Sequence, residues 1–375
     1  MDFVNFISQA QVRRVPFIIY GAGNTAETLL LILKKMYANL NILGCAVTEC
    51  SEKRELLGYR VRNIEEYSAY VTEAVVLCAV VDKYFFEIAE VLENIGFRKV
   101  ISMTFESSNW EDLRELYLKR LYKDKNKRYP FLFWDLNKRR SAVESQGIPE
   151  VYMACCHVDK PLREKMLPQD TDFLIPIQVG KSLTDESIAD IHDDVGDNIS
   201  VKNKAYSELT ALYWLWKNAR SKWIGLCHYR RHFALNADEV SRIPAMPVDI
   251  VLTVPILNFP SIEDVYYRDH EKRDWQDMLE VLNEMYPDYG KKADTYFKGV
   301  SYCGYNMFIA RKSIIDEYCA WLFPLLESIE KRHSCHENVY QGRYIGFLAE
   351  RLFSLYFLSG INSYRIRFAH KRFYM

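Results

Sequence analysis

The residues best suited to chemistry lie in WIGLCHYRRHF, positions 223–233, where an apolar run from Trp223 to Cys227 leads into His228, Tyr229, Arg230, Arg231 and His232. If the strand continues, His228, Arg230 and His232 share one face, and Tyr229, Arg231 and Phe233 the other. A guanidinium offers a planar fork to phosphate oxygens, and an imidazole adds a donor whose charge rises beside an anion. A departing nucleoside diphosphate gains negative charge in the transition state, so fixed cations there would speed its departure. The plainer account is a solvated strand end paired with nearby acids. Two arginines and two histidines within five residues favour the diphosphate.

Four other stretches carry polar residues in patterns that suit a site. DIHDDVGDNIS (190–200) clusters Asp193, Asp194, Asp197 and Asn198 around Gly196, ahead of a helical run. Carboxylates in such a loop serve a divalent cation, a ribose or a sugar hydroxyl, or else ordinary turn and capping chemistry. SYCGYNMFIARK (301–312) sets Gly304, Tyr305 and Asn306 before an apolar strand, where backbone could approach a sugar. HENVYQGRYIGFLAERLF (336–353) adds Gln341, Arg343 and Glu350, the last on an otherwise apolar helix. A carboxylate there is either ion-paired to Arg351 or Arg343, or a general base facing a cleft. The tail YRIRFAHKRFYM (364–375) interleaves Arg365, Arg367, His370, Lys371 and Arg372 with aromatics, which suits anionic headgroups or an acidic face of the protein itself.

Near the N-terminus, GAGNTAE (21–27) follows a strand and opens a helix. Gly21 and Gly23 permit a tight turn and a close phosphate, Ala26 replaces the third glycine, and Glu49 lies about where a ribose-binding acid would be. The same turn also serves merely to pack the first helix. No constellation for hydride transfer accompanies it, which speaks against NAD(P) in this region.

These stretches need a framework, and the apolar pattern supplies one. The chain has 375 residues, enough for two or three domains, and 49% are apolar. Over the first ~105 residues, buried strands (16–23, 41–47, 73–80, 99–103) alternate with helices (24–37, 84–97), as in a parallel sheet covered on both faces. Residues 106–148 read as a charged helical connector. From 149 to 375 the alternation restarts, with strands near 151–158, 172–180, 223–230 and 248–255 and helices over 203–219, 311–332 and 342–360. The net charge of −1 gives no general attraction to nucleic acid. Nine cysteines without a CxxC pair suggest reduced thiols rather than a zinc site. No signal peptide or bilayer-length apolar run stands out, so the expected place is the cytoplasm.

The runs DDVGDNISVKNKAYSELTALYWLWKN, IGLCHYRRHF, YCGYNMFIARK and GFLAERLFSLYF occur in that order. Together they resemble a bacterial family from capsular and exopolysaccharide gene clusters, long a domain of unknown function and now treated as GT-A-like glycosyltransferases, some associated with galactofuranose transfer. The resemblance covers about residues 149–375. The first ~105 residues resemble, less specifically, small Rossmann-like domains attached to sugar-modifying enzymes. The implied fold is α/β: a small parallel Rossmann-like domain plus a GT-A-like mixed-sheet glycosyltransferase domain.

The resemblance implies an enzyme that moves a sugar from a UDP-sugar to a hydroxyl of a polysaccharide or lipid-linked oligosaccharide, at the inner face of the plasma membrane, with inversion. GT-A enzymes usually carry an acidic metal motif where this chain has His228-Tyr229-Arg230-Arg231. The expectation is therefore that Arg230 and Arg231 replace a metal, with His228, Tyr229, His232, Asp193, Asp194, Asp197 and Asn198 on the donor. Glu350 is the expected base, and Gly304, Tyr305, Asn306, Gln341 and Arg343 are expected to face the acceptor. Should a divalent ion such as Mn or Mg be needed, Asp193, Asp194 and Asp197 are its ligands. The competing enzyme class is a nucleotide-dependent reductase or sugar-nucleotide-modifying enzyme working through Gly21, Gly23 and Glu49.

Overall fold

The structure, a computed structural model, describes residues 3–49, 54–132, 147–162, 171–332 and 338–374. The chain forms two compact units, Met1–Tyr129 and Pro130–Met375. Residues 133–146 of the expected connector lie outside the described residues.

The first unit is a six-stranded sheet built from β1 (Phe17–Tyr20), β2 (Ile42–Val47), β3 (Glu55–Leu56), β4 (Tyr59–Asn63), β5 (Val75–Cys78) and β6 (Val100–Ser102), in the order β3-β4-β2-β1-β5-β6. β1 runs parallel to both β2 and β5, and every residue of β1 and β5 is buried, which is why these strands are apolar without alternation. Helices Asn24–Met36 and Phe85–Ile95 follow β1 and β5, and Gly96 ends the second in the left-handed conformation. Helix Ser108–Asp124 belongs to this unit, capped by the Ser107 hydroxyl.

In the second unit the strands are β7 (Glu150–Cys155), β8 (Leu174–Gln178), β9 (Ile191–His192), β10 (Trp223–His228), β11 (Arg231–Phe233), β12 (Ile250–Thr253), β13 (Ile256–Leu257), β14 (Ser301–Tyr302), β15 (Phe308–Arg311), β16 (Ile366–Ala369) and β17 (Lys371–Phe373). The main sheet is ordered β16-β12-β15-β10-β7-β8-β9. β7 to β10 are mutually parallel where they pair, and β15 runs antiparallel between β10 and β12. Trp223 to Cys227 are all buried, with β7 on one side and β15 on the other.

Two sequence expectations change, and the tail, for which the sequence predicts no element, acquires one. The strand does not continue past His228: it reverses at Tyr229–Arg230 and returns as β11, pairing His228 with Arg231. The face alternation expected for 228–233 therefore fails, because cross-strand partners point the same way. Helix 203–219 is broken into Asn203–Tyr206 and Leu209–Asn218, with Ser207 at φ 50° between them. The basic tail is sheet: β16 lies parallel to β12, and β17 pairs with β11. Within it Arg365 makes a two-pronged bond to Asp249, at 2.6 and 3.0 Å, and Lys371 is buried.

Helices Ala237–Arg242, Ile262–Asp269, Lys272–Met285, Pro287–Tyr296, Lys312–Arg332 and Tyr344–Leu358 also belong to the second unit. Tyr344–Leu358 buries residues around most of its circumference, as its nearly continuous apolar sequence requires. Seven cysteines fall among the described residues, and no disulfide joins any two of them.

Candidate functional site

Parallel pairing sets Ala154 beside His228, so the carboxyl ends of β7 and β10 lie together. That edge of an open α/β sheet is where ligands bind, because the connections leaving it diverge. Residues 156–160 leave β7 there, and the Tyr229–Arg230 turn leaves β10.

The centre is the loop Gly304–Asn306, between β14 and β15. Its backbone is clamped from two sides. Glu350 Oε1 accepts the Tyr305 N–H at 2.8 Å, and the Tyr305 carbonyl accepts from His228 Nε2 at 2.6 Å. Tyr305 and Asn306 take φ values of 74° and 49°. With Ser207 they are the non-glycine residues of positive φ among the described part of the second unit, and all three lie at this site. Such conformations persist only when neighbours enforce them, and they gather where function demands it.

Two carboxylates face this loop. Glu350 Oε2 pairs with Arg351 Nη1 at 3.0 Å, and Arg351 is 5% exposed, between the rings of Tyr266 and Tyr302. A Cβ added at Gly304 would stand 3.8 Å from that same Oε2. Glu208, half-buried, accepts from Asn306 Nδ2 at 2.7 Å. Burial pushes both carboxyl groups above the usual carboxylate range; Arg351 opposes this at Glu350, whereas Glu208 adds to it. Burial also drives His228 down to about 4, which leaves it neutral at physiological pH with its Nε2 proton on the Tyr305 carbonyl.

Cations surround the pair. Arg231 lies between the rings of Tyr305 and Phe373, at 4.6 and 4.8 Å, and Lys371 stands 5.2 Å from the Tyr305 ring. Arg343 donates to the Ser207 hydroxyl at 3.1 Å, and its charge reaches Glu208, His228 and Asp159. Arg230, at the turn, donates to the Lys160 carbonyl at 3.1 Å and lies near the Asp159 carboxylate, while its buried Nε has no protein partner among the described residues. Tyr229 shares the Asp159 neighbourhood.

The structure thus brings together Glu350, His228, Arg231, Arg343, Gly304, Tyr305 and Asn306, with Arg230 and Tyr229 alongside. His232 is turned away: it lines a cavity of about 260 Å³ with Met153, Leu174, Pro176 and Tyr229. Gln341 spends its amide on the Asp269 carbonyl and His270. In the acidic loop Asp193 is fully buried, accepting the backbone N–H groups of Gly180 and Lys181 and the Ser200 hydroxyl. Asp197 accepts from Tyr213, and Asn198 closes its own turn onto the carbonyls of Asp194 and Gly196. Only Asp194 retains a buried carboxylate oxygen without a protein partner among the described residues of that loop. Among the described residues no group of three or more His, Cys, Asp or Glu side chains is arranged to hold a metal ion.

In the first unit, a Cβ at Gly21 (φ 124°) would meet the Ala79 carbonyl oxygen at 2.5 Å, so packing against the end of β5 already demands glycine. Gly23 precedes helix Asn24–Met36 with open space where a side chain would stand, and Glu49 is exposed.

Glu208 and Asp159 were not foreseen. Ser207-Glu208 ahead of the apolar run Leu209–Trp216 is a helix-start signal, and reading it as such would have freed Glu208 from the helix interior.

A family model described as a domain of unknown function, DUF4422, matches residues 153–361, more than half of the chain. Among solved structures, the chain is similar to the apo structure of the WbbM bifunctional glycosyltransferase, with 27% identity and a TM-score of 0.52. That match covers 60% of this chain and 45% of the other, so this chain corresponds to less than half of that protein. No curated protein matches.

Proposed function

The chain belongs to the DUF4422 family, and we propose that it is a glycosyltransferase whose donor is a UDP-sugar and whose acceptor is a saccharide hydroxyl. The observation that carries this reading is the meeting of fixed cations and raised-pKa carboxylates at the carboxyl ends of β7 and β10. The likeness to a bifunctional glycosyltransferase supports it.

In this reading Arg230, Arg231 and Lys371 neutralise the diphosphate as it departs, a task that a divalent ion performs in other sugar transferases. Asp194 serves the donor's ribose or sugar hydroxyls. The carboxylate pair Glu350 and Glu208 supplies the base that an inverting transfer requires. Galactofuranose is the first donor sugar to try. The acceptor is a polysaccharide or lipid-linked oligosaccharide of a capsular or exopolysaccharide pathway, met at the inner face of the plasma membrane. No helix among the described residues is long and apolar enough to cross a membrane.

The test is UDP release across a panel of donor sugars, with oligosaccharide acceptors, in the presence and absence of EDTA. Acceptor-dependent release that survives EDTA is expected. Release from no donor, with thermal stabilisation by NAD(P)H and none by UDP, would overturn the proposal.

A further inference from the structure

We infer that Glu208 is the group that takes the acceptor proton, and that Glu350 positions the loop on which the acceptor rests. The inference depends on the glycosyl-transfer reading above. It starts from how the two carboxylates are held.

Both oxygens of Glu350 are engaged by the protein. Oε1 accepts the Tyr305 N–H and Oε2 accepts from Arg351. Burial raises this carboxyl as it does that of Glu208, but with each of its oxygens already accepting from another residue Glu350 is the more heavily engaged of the two. Those bonds define a clamp: they fix Gly304–Asn306 against helix Tyr344–Leu358.

Glu208 is held differently. Asn306, with no exposed surface, donates to Oε1, and among the described residues no other side chain donates to this carboxylate. Its other donor is its own backbone N–H, so no further side chain among the described residues competes with a ligand for this carboxylate. The local backbone supports this placement. Ser207 adopts φ 50° and ψ −130°, and is held there by Asn203 Nδ2 on its carbonyl and Arg343 Nε on its hydroxyl. The break lifts Glu208 out of a continuous helix and sets it opposite Asn306, itself at φ 49°. Two unfavourable backbone conformations flank one hydrogen bond, which is the arrangement expected where a side chain must be aimed. Arg231 and Arg343 lie close enough to act on its charge, so the group that would receive the proton stands beside an arginine assigned to the diphosphate and one assigned to the acceptor.

The step balances without a further reactant. The acceptor oxygen forms its bond to the anomeric carbon of the nucleotide-sugar. The bond from that carbon to the phosphate oxygen breaks, and its electron pair leaves with the diphosphate. The acceptor's proton passes to Glu208, which returns it to solvent after product release. Burial raises the Glu208 carboxyl, which brings its basicity nearer the working pH.

The experiment uses the full chain with the donor and acceptor found by UDP release, and compares Glu208→Gln, Glu350→Gln and Asn306→Ala. Glu208→Gln is expected to lower kcat by about 100- to 10,000-fold, to keep donor KM and Tm, and to lose the acidic limb of the pH–rate profile. Glu350→Gln keeps that limb and loses Tm. Asn306→Ala moves the limb to higher pH, because the amide that favours the charged form is gone; it keeps the inference testable if Glu208→Gln does not fold. A Glu208→Gln enzyme within threefold of wild type with its acidic limb intact, or an Asn306→Ala enzyme whose limb does not move, overturns the inference and leaves glycosyl transfer standing. A wild-type chain that transfers from no donor overturns the functional reading and this inference with it.

Discussion

The Glu350 carboxylate accepts the backbone N–H of Tyr305 at 2.8 Å, tying the middle of helix Tyr344–Leu358 to the loop that enters β15. Its other oxygen holds Arg351, which is 5% exposed. Removing the carboxylate therefore strands a buried guanidinium as well as a backbone donor. Glu350→Ala should cost about 3–5 kcal/mol, the range for breaking one side of a buried ion pair. Glu350→Gln, which can still accept from Tyr305, should cost less. Urea unfolding of the two variants against wild type measures both, and an alanine variant as stable as wild type would refute the clamp.

Acid stability follows from three histidines of the second unit. Burial lowers His228, His232 and His270 to about 4, against 6.5 when unfolded. Between those values the unfolded chain binds more protons than the folded one, so stability falls as pH drops from about 6.5 through 4. Glu208 and Glu350 act in the opposite sense: their raised folded pKa values make stability fall as pH rises past 4.5. The groups facing His228 are Arg231, Arg343 and Glu350. His270 faces Arg351, Gln341 and Asp269, and Glu208 is not among the groups that act on its charge. His270→Phe should thus flatten the decline of Tm between pH 6.5 and 4, and an unchanged slope would show that His270 carries none of it.

Arginine at the β10–β11 turn is the direct test of diphosphate binding. Arg231 stacks between two rings, and each such contact is worth about 0.5–1 kcal/mol. Loss of transition-state charge stabilisation, by contrast, costs on the order of 100- to 1,000-fold in rate. Arg230→Ala and Arg231→Ala should each lower turnover on that scale while shifting Tm by only a few degrees, about what 1 kcal/mol produces. Steady-state UDP release beside thermal melting makes the comparison. Full turnover in either variant removes that arginine from the site.

Much of this site was legible because the strand ends announce themselves. Trp223 to Cys227 could hardly be anything but a central strand, and the cations after it had to lie at the sheet edge. Glu350 was legible for the opposite reason, as a charge in a helix otherwise built to be buried. Three things were not. The reversal at Tyr229–Arg230 uses no glycine, asparagine or proline, so nothing local marks it as a turn. The break at Ser207 is held by Arg343, far along the chain, as well as by Asn203, and inside the apolar run 203–219 the helix-start signal at Ser207-Glu208 is too short to outweigh the helical spacing around it. The tail's strands depend on partners in β11 and β12, which a run of arginines and aromatics does not reveal.

The acidic loop separates a structural carboxylate from one free to bind. Asp193 lies under the turn that starts at Gly180, whose φ is 66°, and takes the N–H groups of Gly180 and Lys181 at 2.8 and 3.1 Å. It also accepts the Ser200 hydroxyl, which in turn receives the Ser182 N–H at 3.1 Å. Asp193→Ala leaves these donors buried without an acceptor, at about 1–3 kcal/mol for each group not reached by water. Asp194, one residue on, offers a buried oxygen that no protein group among the described residues occupies. Its loss should spare the fold and weaken the donor. The expected pattern is a lowered Tm with an unchanged Kd for UDP-sugar in Asp193→Ala, and a preserved Tm with a Kd raised about tenfold in Asp194→Ala, about 1.4 kcal/mol of lost binding. Titration calorimetry and melting on the two variants decide it. The reverse pattern would move the ligand onto Asp193, and the account of that residue as the support of the Gly180 turn would fall.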